Sequence, residues 1–216
     1  MTLSPLEMVA LSIALTAILM VGSTHLRLNI WMFAGQTALL AGLTALYSWQ
    51  RQDLHLFLVA MALFVLKAIA VPKFLLFIIQ QVHVQRDSGT VIPTPIAMHL
   101  SIGFLGISYI LASQLPIPHA NGSGWPSSTA AISLVCTGLL LMLIRRIALS
   151  QIIGFLIMEN GIYVFGLTQT TGMPLLIEMG VLLDVLAGVM IAGLLAFRIK
   201  KNFEHIDVTM LAELKE

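Results

Sequence analysis

Among the ionisable residues inside stretches otherwise built for lipid, five stand out: Lys67, His99, Glu159, Glu178 and Asp184. A charged side chain at bilayer depth costs about 2.5–3.5 kcal/mol on insertion scales. A single apolar residue returns only about 0.3–0.6 kcal/mol on the same scale. Each charge therefore offsets several leucines, and a partner or a proton path must compensate it. Two chemistries fit a buried acid. It can remain protonated, because burial raises a carboxyl pKa by up to about 3–5 units, and donate an interhelical hydrogen bond. Alternatively, acids at one depth on neighbouring helices can pass a proton laterally.

Spacing favours the relay for Glu159 and Asp184. Glu159 precedes the end of its apolar run by about ten residues, and Asp184 follows the start of the next by about ten. The tight turn "TTGMP" joins the two runs. At about 1.5 Å per residue, both acids reach roughly 15 Å depth on antiparallel neighbours. Glu178 is about a turn and a half nearer the surface and points about 120° away from Asp184. Asp184 is thus the better partner for Glu159. Glu178 sits near a helix start, where the dipole favours an acid, and for it both chemistries stay open.

Lys67 lies in "ALFVLKAIAVPKF", where Pro72 removes a backbone donor and frees the carbonyl of Ala68. A lysine beside an opened backbone could shuttle a proton or pair with an acid on a neighbouring subunit. The alternative is snorkelling of its stem to the interface, which its depth makes difficult. His99, close to Pro95, reads as an interfacial histidine. His25, His55, His83, His119 and His205 lack Cys or acid partners at metal-ligand spacing. A Gly-rich phosphate loop, a CxxC pair and a nucleophile with a nearby base are all missing. The chain is expected to carry no cofactor, and Cys136, inside an apolar run, to be a packing residue.

These residues must be held by membrane helices. The 216 residues are 58% hydrophobic and 10% charged, with a mean hydropathy of +0.97, whereas soluble domains carry about a quarter charged residues. About seven segments are long enough to span a bilayer: 6–22, 28–49, 54–79, 96–115, 129–144, 147–168 and 175–197. Helices are required because hydrocarbon satisfies no backbone polar group. The first segment lacks a basic n-region and a cleavage site, so it reads as a membrane helix rather than a leader. The expected fold is all-α: one polytopic membrane domain over 1–216, with N-terminal helices (1–145), a helix pair (146–197) and a polar tail (198–216). Arg27, Arg86, Arg145, Arg146, Arg198, Lys200 and Lys201 fall on one face and Arg51 on the other. By the positive-inside rule the N-terminus is outside and the C-terminus cytoplasmic.

From Gln151 onward, "QIIGFLIMENG", "LIEMGVLLDV", "FRIKKN" and "HIDVTMLAELKE" resemble the hydrogenase-4 component E family of membrane subunits. "LKAIAVP" is similar to that family's third helix. The last two helices further resemble the K-type small membrane subunit of respiratory complex I, which carries one acid on each of two helices. Asp184 matches the second acid in its distance from the basic stop. The first would fall at Leu156, and Glu159 stands about 4.5 Å further along the helix. The resemblance implies a proton-translocating subunit in the membrane arm of a complex I-like oxidoreductase, in a bacterial or archaeal cytoplasmic membrane. Glu159, Asp184, Glu178 and Lys67 would be its proton-transfer residues. Its partners would be antiporter-like membrane subunits and a peripheral redox module, hydrogenase-like or linked to formate dehydrogenase. A [NiFe] centre and iron–sulfur clusters would reside in those partners. Two other readings remain: a small subunit of a multi-subunit cation/proton antiporter, and a purely structural docking subunit.

Overall fold

A computed structural model of the chain describes residues 4–82, 86, 87, 89–115, 125–169 and 188. Among these, six helices are long and apolar enough to cross a membrane, and the chain is a multi-pass membrane protein. The expected span 175–197, with Glu178 and Asp184, and the tail 198–216 lie outside the described residues.

Helix α1 (Pro5–Gly22) opens on a capping box: the Ser4 hydroxyl accepts from the Glu7 N–H while Glu7 accepts from the Ser4 N–H at 2.8 Å. Two otherwise orphaned donors are thereby satisfied. Helix α2 (Leu26–Arg51) ends at Gln52, whose φ of 53° is left-handed. Asp53 then caps α3 (Leu54–Ala62) by accepting from the N–H groups of His55 and Leu56. A reversal of so few residues sets α2 and α3 side by side.

The third span is not one continuous α-helix. Between α3 and α4 (Val71–Val82) runs a π-helix, Leu63–Ala70, in which the Val71 N–H reaches back five residues to the Leu66 carbonyl. Pro72 is the cause: its ring clashes with the carbonyl four residues earlier and it brings no N–H. The sequence reading had the Ala68 carbonyl simply freed. The backbone instead widens, taking one extra residue into the turn. This shifts the phase of the inward face, so that the adjacent Lys67 and Ala68 are both buried.

Helix α5 (Thr94–Gln114) follows, with Pro95 in its first turn, where a missing N–H costs nothing. The fifth span was expected to be the shortest, beginning at Thr129 after a loop over 116–128. It is α6, Trp125–Ile144, and it begins four residues earlier (129 − 125 = 4). Pro126 stands at its second position, and Ser127, Ser128 and Thr129 are buried. Hydropathy scores these hydroxyls as loop-like, but they pack inside the bundle. Helix α7 (Ala148–Gln169) closes the described bundle.

Helices α6 and α7 form its centre. A Cβ on Gly138 would lie 2.5 Å from the Met158 backbone nitrogen, and one on Gly161 would lie 2.8 Å from the Ala131 carbonyl. Only hydrogen side chains permit this approach. Helix α6 also packs on α1 and α5, while α2 touches α1, α3, the π-helix and α7. Of the basic residues expected on one face, the described ones, Arg27, Arg86, Arg145 and Arg146, lie at one end, while Arg198, Lys200 and Lys201 fall outside the described residues. There Arg86 donates to His25 at 3.3 Å, and Arg145 donates to the carbonyls of Val21 and Ser23 at 3.0 and 2.7 Å. Arg51 is at the opposite end, bound to the Leu167 carbonyl at 3.2 Å.

Candidate functional site

The π-helix, α2 and α7 meet around one ion pair. Lys67 Nζ lies 3.0 Å from Glu159 Oε2, with both side chains 3% exposed. Lys67 is about 13 residues, or roughly 20 Å, into a span some 28 residues long. Glu159 is roughly 16 Å into α7. Both are therefore near mid-span. Two opposite charges attract strongly where the dielectric is low, yet each has lost its hydration.

A buried amide and hydroxyl group adjoins the pair. Asn160 Nδ2 faces Gln36 Oε1 and Thr37 Oγ1 at 3.2 Å each, and Gln36 Nε2 donates to the Ile13 carbonyl at 3.0 Å. These bonds tie α7 to α2 and α2 to α1. A turn further toward the Arg51 end, the Thr44 and Tyr163 hydroxyls are 3.4 Å apart. Beyond them on α2 stands Tyr47, with Ser127 of α6 and Glu7 of α1 as its polar neighbours. The Arg51 guanidinium sits 5.2 Å from the centre of the Tyr47 ring, a cation–π distance.

A second polar cluster closes the other end. Arg145 and Asp87 are 2% and 1% exposed. Arg145 caps the last carbonyls of α1, Asn29 donates to the same Ser23 carbonyl at 3.2 Å, and the Asp87 N–H donates to Thr24 at 2.9 Å. Burial draws the Arg145 guanidinium below its usual range, and the Asp87 carboxylate opposes that draw.

Of the residues singled out from sequence, the fold joins Lys67 and Glu159. Lys67 was read as a proton shuttle or as the partner of an acid on a neighbouring subunit; it meets an acid within its own chain. His99 stands apart, exposed, its Nδ1–H donating to the Pro95 carbonyl at 2.7 Å. Sequence reasoning missed Gln36, Thr37, Thr44, Asn160 and Tyr163. Their signal was uncharged polar residues recurring along one face of α2, beside Asn160 next to the acid in "MENG". It also missed the burial of Arg145, which read as a loop charge, and did not single out Asp87. Among the described residues, no three His, Cys, Asp or Glu side chains gather to hold a metal ion.

The chain is 29% identical over 205 residues to the uncharacterized protein Rv0085 of Mycobacterium tuberculosis, covering 94% of this chain and 93% of that one. It is 24% identical over 202 residues to hydrogenase-4 component E of Escherichia coli K12, covering 93% of each. The Shigella flexneri protein of the same name matches equally. No family model and no solved structure matches the chain. The expected kinship with hydrogenase-4 component E thus extends along nearly the whole chain, N-terminal helices included.

Proposed function

We propose that this relative of hydrogenase-4 component E is a membrane-arm subunit of a hydrogenase-type, complex I-like redox assembly, and that it moves protons through intramembrane charged groups. The observation that carries this reading is the Lys67–Glu159 pair. A bundle needing only cohesion would be served as well by apolar side chains, since replacing a buried ion pair by packed hydrophobic residues is often neutral or stabilising. An ion pair at mid-span adds one capacity those residues lack, a proton that can change position.

In this reading Glu159 takes up and releases the proton, and Lys67 is the compensating charge whose field biases it. Asp184 receives the proton laterally, and Glu178 continues the path. Protonating one site shifts the next by Coulomb interaction in a poorly screened interior. The end holding Arg86 and Arg145 faces the cytoplasm of a bacterial or archaeal cell. Electron transfer, the [NiFe] centre and the iron–sulfur clusters belong to partner subunits.

The test is proton translocation by the purified assembly in sealed vesicles, with Glu159→Gln against wild type. Lost pumping with the complex still intact supports the reading; full pumping removes it. The chains that co-purify in mild detergent supply a second check. A nickel–iron large subunit fits the proposal, whereas antiporter subunits alone would favour ion exchange without redox chemistry.

A further inference from the structure

We infer that a column of hydroxyl groups between α2 and α7 conducts protons between Glu159 and a second buried carboxylate, Glu7, at the end of the bundle that carries Arg51. The inference rests on the proposed role of Glu159 as a proton-exchanging site.

The polar residues of the two helices meet in two places. On α2, Thr37, Thr44, Tyr47 and Arg51 recur at spacings that keep them on one face. On α7, Glu159 and Tyr163 are one turn apart, with Asn160 beside them. Asn160 meets Thr37 at 3.2 Å and Tyr163 meets Thr44 at 3.4 Å. Tyr47 follows on the same face of α2, with Ser127 of α6 and Glu7 of α1 as its polar neighbours. Thr44, Ser127 and Glu7 are all buried. Among the described residues the column therefore runs from the mid-span pair to one end only. In the other direction α7 buries Ile152, Ile153, Leu156 and Ile157, which can carry no proton. A set of hydroxyls serving only to bind helices together would have no reason to keep to one half of the interface.

The hydroxyls have the freedom the task requires. Thr44 Oγ1 lies 2.9 Å from the Leu40 carbonyl as well as 3.4 Å from the Tyr163 oxygen. Its single hydrogen can serve either one. With that hydrogen on Leu40, the Thr44 oxygen accepts from the phenol. A proton reaching the Tyr163 oxygen from the Glu159 side releases the phenolic hydrogen to Thr44. The Thr44 hydrogen then passes toward Tyr47 and Ser127, and Glu7 takes up the proton that leaves them. Only O–H bonds break and form, and rotation of the hydroxyls resets the column. The path requires a bridging water in each one-turn interval, between Glu159 and Tyr163 and between Thr44 and Tyr47. The buried Asn160 Oδ1 atom, which has no hydrogen-bond partner among the described residues, offers such water an acceptor.

The test compares proton translocation by the vesicle-reconstituted assembly carrying Tyr163→Phe, Thr44→Val, Thr44→Ser, Glu7→Gln or Glu159→Gln. Tyr163→Phe, Thr44→Val and Glu7→Gln should each slow translocation tenfold or more with normal assembly, and Thr44→Ser should keep most of the rate. Wild-type pumping by Tyr163→Phe and Glu7→Gln, with Glu159→Gln inactive, overturns the column and leaves the site reading standing. Full pumping by Glu159→Gln as well overturns both. Should Tyr163→Phe fail to assemble, equal rates for Thr44→Val and Thr44→Ser overturn the column.

Discussion

Lys67 and Glu159 come within 3.0 Å of each other although they belong to spans separated by two further transmembrane helices in sequence. The contact depends on a local irregularity. A π-helix ahead of Pro72 adds a residue to the turn and brings Lys67 onto the inward face. On the other side, close packing of α6 against the glycines of α7 fixes the rotation of the helix bearing Glu159.

The pair should show strong energetic coupling. Lys67→Met or Glu159→Gln alone strands a charge in the bundle and should cost about 3–5 kcal/mol of stability. Lys67→Met/Glu159→Gln together should cost clearly less than the sum. Unfolding in mild detergent with increasing denaturant, applied to all four members of the cycle, measures this. Additive losses would mean that the two side chains do not share a charge balance.

The glycines of the α6–α7 contact should separate sharply from glycines elsewhere. Gly138→Ala and Gly161→Ala set a methyl group within 2.5–2.8 Å of backbone atoms on the facing helix. Each should lower stability by about 1–3 kcal/mol. Gly103 and Gly106 on α5 have nothing within 4 Å of the same added carbon. Alanine there should be neutral or raise stability by up to about 1 kcal/mol through helix propensity. Thermal midpoints of the four variants in one detergent decide the matter.

Arg145 and Asp87 should behave as one unit. Arg145→Ala removes the donors to the Val21 and Ser23 carbonyls and takes a positive charge from beside a buried carboxylate whose oxygens have no hydrogen-bond partner among the described residues. A loss of about 3–5 kcal/mol is expected. Adding Asp87→Asn should recover part of it, because the stranded negative charge is gone. If the second substitution makes matters worse, the two groups are not electrostatically linked. Thermal midpoints of both variants provide the comparison.

Much of the fold could be read from sequence because lipid imposes a simple rule. Apolar stretches such as Leu6 to Gly22 must be helical to satisfy their own backbones, and the approximate positions of the six described spans followed. The fifth helix was underestimated because Ser127 and Ser128 count as loop residues by hydropathy, although a bundle interior accepts small hydroxyls. Lys67 and Glu159 were conspicuous for the cost of placing charge in hydrocarbon. Gln36, Thr44, Asn160 and Tyr163 were not, since an uncharged polar residue costs too little to demand a partner.

By itself, then, the sequence determined the solvent, the helices and the identity of the costly side chains, all of which depend on transfer free energies summed along the chain. The tertiary structure decided which of those side chains meet. That depends on helix rotation, and one π turn or one glycine contact alters rotation without leaving a mark on hydropathy. So Lys67 turned inward to Glu159, and Arg145 folded beneath the end of α1 instead of remaining in water.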